Sequence, residues 1–157
     1  MKKTFFLLLL VVIPMITLRA DGFIGYNDDG YEFSCYVISE SENTAMISHL
    51  NSRKSITGLR MPSKVYWSYT GKIYDVIYIG SDAFYCCTEL EWVHIPYSII
   101  AIGDYAFSNC LKLTSVLIPN SVTSIGNGAF QECTSLETVT IANSVTSIGS
   151  WAFYFCQ

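Results

Sequence analysis

The sequence predicts a solenoid built from stacked 23-residue units, with an N-terminal β cap in front of them. Three recurring features carry this prediction: the dipeptide Ile-Gly, the dipeptide Ala-Phe and a single cysteine. Ile-Gly recurs at 79–80, 102–103, 125–126 and 148–149. Ala-Phe recurs at 83–84, 106–107, 129–130 and 152–153, and the cysteine recurs at 87, 110, 133 and 156. Three independent columns that share one period indicate a repeat architecture.

Each unit combines two extended segments with one compact turn. Residues 115–118 read Ser-Val-Leu-Ile, an alternation that predicts a short strand with one buried face. Residues 122–125 are rich in β-branched side chains and predict a second extended stretch. Gly126 then predicts a left-handed bend, because glycine adopts positive φ at little cost. The segment 129–133, Ala-Phe-x-x-Cys, predicts a short helical or 3₁₀ turn whose side chains point inward.

No such unit can bury its apolar side chains alone. Stacking the units buries them, and short parallel strands then run along the stack. The full unit reads L-x-x-V-x-I-P-x-S-[VI]-x-x-I-G-x-x-A-F-x-x-C-x-x and is traced over residues 56–157. This pattern resembles the BspA-type leucine-rich repeat, also called the Treponema pallidum type. The resemblance implies a right-handed leucine-rich-repeat solenoid. It also implies a surface protein of a bacterium, or less often of a protist parasite, that acts in adhesion.

Residues 1–20 have the layout of a secretory signal peptide. Two lysines precede the apolar run Phe5–Ile13, and cleavage is expected after Ala20. The run is too short for a span of about 20 residues, although a retained N-terminal anchor is the alternative. Removal of residues 1–20 leaves 6 basic and 13 acidic side chains, a formal charge of −7. That charge argues against nucleic acid as a partner, and the mature chain has no predicted membrane span.

Residues 21–55 are predicted to form the N-terminal β cap. Within the cap, strand-like segments over 31–50 are split by the polar stretch Ser39–Asn43, which predicts a hairpin. The stretch 56–65, ITGLRMPSKV, aligns column by column with LTSVLIPNSV at 113–122. The first repeat therefore begins at residue 56, and it carries a hairpin insertion at 66–75 around Thr70-Gly71.

The last repeat is predicted to be incomplete. The chain stops at Gln157, one residue after the fourth cysteine of the column, before the next strand. Two readings stay open: the sequence is truncated, or the half-open repeat is left for a partner.

Six cysteines in an exported chain raise the question of disulfides. The four that share the period occupy equivalent positions, so buried free thiols are expected there. A Cys35–Cys86 bridge is the alternative. No C-x-x-C spacing is present, and neither a metal nor a cofactor is predicted.

No enzyme is predicted. His49 and His94 are the chain's histidines, and hydrolase, metalloprotease and phosphate-loop motifs are missing from the sequence. A Cys/His hydrolase would need Cys86 or Cys87 beside His94. Cys87 belongs to the core column, which argues against that arrangement.

Outward positions of the repeated strands are the first candidate binding surface, because solenoids use such extended faces and an exposed Trp is a common anchor. They are Trp92, His94, Ser115, Leu117, Thr138 and Thr140. The alternative for Trp92 and His94 is that they cover the junction with the cap. A variable column after Ile-Gly, with Tyr105 and Trp151, is also expected to be exposed.

The aromatic hairpin is the second candidate. Its rings could stack on sugars or contact a protein loop, or they could cover the edge of the sheet. They are Tyr66, Trp67, Tyr69 and Tyr74.

The sequence thus predicts a secreted or cell-surface leucine-rich-repeat protein that mediates protein–protein interaction. Adhesion to a host extracellular protein follows from the resemblance alone. The alternatives are a structural spacer or fragment of a larger surface protein, and a carbohydrate-binding module with exposed coplanar rings in the hairpin.

Overall fold

The computed structural model describes residues 22–27, 30–51 and 56–156. The predicted signal peptide at 1–20 lies outside the described residues. The described part of the chain is built from strands and turns, without a helix. Its strands are β1 Gly22–Tyr26, β2 Glu32–Ser39, β3 Thr44–Leu50, β4 Gly58–Arg60, β5 Lys64–Trp67, β6 Lys72–Ile79, β7 Trp92–His94, β8 Ala101–Ile102, β9 Ser115–Ile118, β10 Ser124–Ile125, β11 Thr138–Ile141 and β12 Ser147–Ile148.

The strands form two sheets; each repeat after the first contributes one strand to each sheet, and the first contributes β4 to one sheet and β5 and β6 to the other. The four-stranded sheet has the order β11-β9-β7-β4 and is parallel throughout. The eight-stranded sheet has the order β1-β2-β3-β6-β8-β10-β12, with β5 paired to β6. Paired residues of neighbouring repeats are one period apart, as in Ser115 with Thr138 and Ala101 with Ser124.

The repeated apolar columns form the core. Val116 and Ile118 of β9 are buried while Ser115 and Leu117 are exposed, which confirms the predicted one-sided strand. The phenylalanines of Ala-Phe stack on one another along the repeats. Successive ring centroids in this column are 5.0, 5.1 and 5.3 Å apart, with planes within 9° of parallel; the rings are Phe84, Phe107, Phe130 and Phe153.

The predicted helical or 3₁₀ turn at Ala-Phe is wrong. These segments are chains of turns in which the first and fifth residues have positive φ, such as Tyr105 (55°) and Asn109 (61°). Positive φ breaks a right-handed helix after each such residue. Alternate backbone N–H groups instead donate to the next repeat, as Tyr105 N does to Asn127 O (2.9 Å) and Phe107 N to Ala129 O (2.7 Å). Bonds between repeats therefore replace bonds within a helix.

The glycine of Ile-Gly also has a different role from the one predicted. Gly126 does not have positive φ; among the described glycines those with positive φ are Gly30, Gly71 and Gly128. A Cβ on Gly126 would lie 2.6 Å from both Asp104 N and Gly103 C of the preceding repeat. Glycine is required here because the backbones of adjacent repeats approach closely, and not because the chain bends left-handedly.

Two hairpins precede the regular repeats. β2 and β3 pair antiparallel across residues 40–43, and β3 then pairs parallel with β6. β5 and β6 pair antiparallel on either side of Thr70-Gly71, as the sequence there predicts. The described residues hold no helix with the length and hydropathy of a membrane span.

Candidate binding surface

The outward side of the four-stranded sheet carries the six predicted binding residues. We call this surface the strand face: Trp92, His94, Ser115, Leu117, Thr138 and Thr140, all exposed. Strand register aligns Trp92 with Ser115 and Ser115 with Thr138 in one row. Leu117 pairs with Thr140 in a second row, two residues further along. The exposed fraction of Trp92 is 46% and that of Leu117 is 53%.

Gly58 positions the Trp92 indole. Gly58 of β4 is the register partner of Trp92, and a Cβ on it would overlap the indole ring. The ring therefore lies over the backbone of the first repeat, where half of its surface is covered and half remains open. Sequence reasoning did not assign this role to Gly58. The signal was present, because the alignment of 56–65 with 113–122 places Gly58 in the column of Trp92.

Arg60 is a second residue that the sequence analysis missed. It pairs with His94 in the register of β4 and β7, and both residues are exposed. Together they line a cavity of about 380 Å³ at the β4 edge of the strand face. Arg60 stands in the column of His94 and Leu117, so the same alignment would have placed it on this face.

The four rings of the aromatic hairpin separate onto two sides. Tyr74 is fully buried and its hydroxyl lies 3.0 Å from Glu40 Oε2, so this ring is not open to a ligand. Trp67 is half-buried and stacks on Phe23, with centroids 5.1 Å apart and planes 10° from parallel. Tyr66 and Tyr69 are exposed, at 57% and 89%.

The neighbouring rings Trp67 and Tyr69 of this hairpin are not coplanar. The planes of Trp67 and Tyr69 are 35° apart, and one face of the Trp67 indole is covered by Phe23. Alternation explains the division, because adjacent residues of a strand point to opposite faces. The two rings of this set that are open to solvent are therefore Tyr66 and Tyr69.

The column after Ile-Gly is exposed at its aromatic members. The exposed fraction of Tyr105 is 37%, and that of Trp151 is 67%. Both have positive φ, like Asp82 and Gly128 at the equivalent positions. The Tyr105 ring extends toward Gly128, where a Cβ would overlap it.

The six cysteines are all free thiols, so the Cys35–Cys86 bridge is absent. Cys35 is buried and Cys86 is exposed. The prediction of buried free thiols in the repeated column is confirmed for Cys110 and Cys133, whereas Cys87 and Cys156 are half-buried. The thiols of Cys110, Cys133 and Cys156 donate to carbonyl oxygens of the preceding repeat, as Cys133 Sγ does to Phe107 O at 3.2 Å.

Their environments make Cys87, Cys110 and Cys156 poor nucleophiles, whereas the hydrogen bond with Cys110 lowers the pKa of Cys133. Burial raises the pKa of Cys87 and of Cys156 to about 11. A hydrogen bond with the Cys133 thiol, together with burial, raises the pKa of Cys110. A nucleophilic cysteine needs a lowered pKa, so Cys87 lacks the property that a Cys/His hydrolase would require. Among the described residues, no group of His, Cys, Asp and Glu is placed to hold a metal ion.

Comparison with known families identifies the repeat. Residues 72–157 match the family model for the BspA type leucine-rich repeat region (6 copies), and this match covers more than half of the chain. The chain belongs to the BspA-type leucine-rich repeat family. Proteins of this family are generally binding proteins and not enzymes. The match begins at Lys72, inside the β5–β6 hairpin, which is later than residue 56 where the sequence pattern is first traced.

Solved structures show the same fold. The leucine-rich repeat protein TpLRR of T. pallidum is 23% identical with a TM-score of 0.58, over 89% of this chain and 67% of that one. The pneumococcal vaccine antigen PcpA is 14% identical with a TM-score of 0.52, over 87% of this chain and 48% of that one. The chain thus spans two thirds of the first protein and about half of the second. No curated protein matches the chain.

Proposed function

We propose that this chain is a secreted or cell-surface module whose strand face binds a protein partner, and that adhesion to a host extracellular protein is its role. The observation that supports this proposal is that two exposed apolar side chains, Trp92 and Leu117, lie on the same face as small hydroxyl side chains. Protein interfaces combine large apolar or aromatic anchors with a polar rim. Acidic side chains outnumber basic ones 13 to 6 in the mature chain, and none of the 13 is among the six residues of the strand face.

The domain organisation is part of this proposal. A signal peptide at 1–20 exports the chain, a β cap at 21–55 closes the first edge, and 23-residue repeats from 56 to 157 stack as a solenoid. Support comes from the parallel ladders of both sheets and from the continuous phenylalanine stack. Membership in the BspA-type family supports a location at the cell surface.

Capture of host proteins by variants tests the proposed surface. Immobilised residues 21–157 are incubated with extracellular-matrix and mucosal proteins, and captured proteins are identified. Trp92→Ala should weaken capture about tenfold or more, because truncating an interface anchor costs about 1–2 kcal/mol or more. Trp151→Ala is the matched control, since it removes an equally large exposed ring from outside the strand face.

Leu117→Ser is a second test of the same face, and circular dichroism of each variant reports whether the fold is intact. Capture that survives both Trp92→Ala and Leu117→Ser would refute the strand face. If capture were then lost in a Tyr66→Ala, Tyr69→Ala double variant, the binding surface would be the aromatic hairpin.

A further inference from the structure

We propose that the cavity at the β4 edge of the strand face binds a glutamate or aspartate side chain of an acidic protein segment. We call it the edge cavity; its polar lining comprises Tyr26, Asn27, Arg60, Ser63, Lys64 and His94. The inference rests on the proposed function, because it specifies what the partner presents at one end of the strand face.

The distribution of charge is the first argument. Of the four described lysines and arginines, Lys72 pairs with Glu40 and Lys112 with Glu89, both away from the cavity. The other two, Arg60 and Lys64, line the edge cavity. Lys64 is paired with Asp75, whereas Arg60 has no ion pair among the described residues. The edge cavity therefore contains Arg60, the one described lysine or arginine without an ion pair, in a chain with a net negative charge.

The setting of Arg60 is the second argument. Its carbonyl accepts a hydrogen bond from Asn27 Nδ2 at 2.8 Å, and Asn27 Oδ1 in turn accepts from Tyr31 N at 2.9 Å. Met61 N donates to His94 O at 3.2 Å, which ties β4 to β7 beside the cavity. These hydrogen bonds hold the backbone at Arg60 and Met61 in place, and the Arg60 guanidinium, which has no ion pair among the described residues, can bind a carboxylate. A guanidinium presents a planar fork of donors that matches a carboxylate.

The neighbourhood favours an isolated carboxylate over a polyanion. Glu91 and Glu137 are exposed beside the strand face, and Asp75 offsets the charge of Lys64. A densely sulfated chain would be repelled by these groups, and it needs more cations than the cavity offers. A peptide can place one carboxylate in the cavity while apolar side chains contact Trp92, which shares β7 with His94.

The test compares two peptides that differ in charge alone. Acetyl-Gly-Leu-Glu-Leu-Gly-amide and its Gln counterpart are titrated into ¹⁵N-labelled protein, and the amide shifts of Met61 and His94 are followed. The Glu peptide should bind about fivefold or more tightly than the Gln peptide, as expected for a charge-assisted bond at a partly open site. Arg60→Gln should abolish this preference. Lys112→Gln, which removes one positive charge elsewhere, should keep it.

Three results would overturn the inference: equal affinity for both peptides, a preference that survives Arg60→Gln, or a preference lost equally in Lys112→Gln. Binding of a heparin hexasaccharide at the same amides, without binding of the Glu peptide, would assign the cavity to sulfated sugar instead. The proposed function fails separately. Host-protein capture that depends on Trp92 but comes with no Glu preference would refute the edge cavity and leave the strand face standing.

Discussion

Replacement of Gly126 by alanine tests why each repeat contains a glycine after isoleucine. If the residue served a left-handed bend, alanine would cost only backbone strain. In the structure the constraint is distance, because the new Cβ would lie 2.6 Å from two backbone atoms of the preceding repeat. Ordinary van der Waals contact begins at 3.4 Å, so the two repeats must separate by roughly 0.8 Å at this rung.

The structure sets the size of the effect. Overpacking a core with extra atoms costs about 1–3 kcal/mol, when side chains can move to relieve it. Here the contacting atoms are Asp104 N and Gly103 C, which the ladder between β8 and β10 holds in place. We therefore expect Gly126→Ala to lower the free energy of unfolding by about 3 kcal/mol, at the upper end of that range.

Gly71→Ala is the matched control. Gly71 has φ of +68°, and nothing lies within 4 Å of a Cβ placed on it. Alanine there bears the strain of a left-handed conformation alone, about 1 kcal/mol. Urea unfolding followed by circular dichroism measures both variants. In thermal scans we expect Tm to fall by about 8–12 °C for Gly126→Ala and about 3 °C for Gly71→Ala.

If Gly126→Ala and Gly71→Ala lowered the free energy of unfolding equally, close approach of adjacent repeats would be refuted as the reason for the repeated glycine. A loss larger in Gly71→Ala would refute it more strongly, because strain would then outweigh crowding. Gly149→Ala gives a further check, since its Cβ would also overlap backbone atoms of the preceding repeat. The new Cβ would overlap Asn127 N and lie 2.5 Å from Gly126 C, so Gly149→Ala should also lower the free energy of unfolding by more than Gly71→Ala does.

Three other outcomes follow from the same contacts. Phe107→Ala should lower the free energy of unfolding in urea by about 4–5 kcal/mol, since it empties a buried site between two stacked rings. Phe153 is half-buried and has one stacked neighbour among the described residues, so Phe153→Ala should lower it by about 1–2 kcal/mol. Equal losses in the two variants would contradict a contribution from the stack. Asp104→Ala should cost about 1–2 kcal/mol, because Asn127 N donates to Asp104 Oδ1 at 2.6 Å, and an unchanged urea midpoint would show that this bond adds nothing. Burial raises the pKa of Cys35 to about 12 from 9.0, so above pH 9 the unfolded chain releases a proton that the folded chain retains. The free energy of unfolding should therefore fall as pH rises from 9 to 12, by at most about 1.4 kcal/mol per pH unit for this thiol. Cys35→Ala should make the fall in urea midpoint between about pH 8 and pH 10.5 shallower.

The repeat, its family and its buried columns could be read from the sequence. A stack requires the same side chain at the same spacing in every unit, so Val116, Ile118 and Phe107 reveal themselves by recurrence. One-sided strands are likewise a local property, because alternation along residues 115–118 specifies which side chains are buried. For the same reason the outward positions of the strand face were named correctly as exposed.

Tertiary structure alone decided the features that depend on distant segments. The reason for Gly126 lies in the backbone of residues 103–104, one repeat away. The turns at Ala-Phe take positive φ in place of helical geometry, because their N–H groups donate to the following repeat. Both contacts come from residues about one repeat away in the chain, so the sequence immediately around Gly126 or Ala-Phe does not reveal them.

The candidate site shows the same division. Trp92 was found because strand alternation places it outward, but the cover that Gly58 provides for its ring comes from pairing of β4 with β7. The sequence left open whether Trp67 is exposed or covered, and the structure decides it through Phe23 of β1, which stacks on the indole. Recurrence reports what every repeat must share, whereas a binding surface arises where particular, non-equivalent residues become neighbours. That adjacency is set by which strands pair, and only the folded chain contains it.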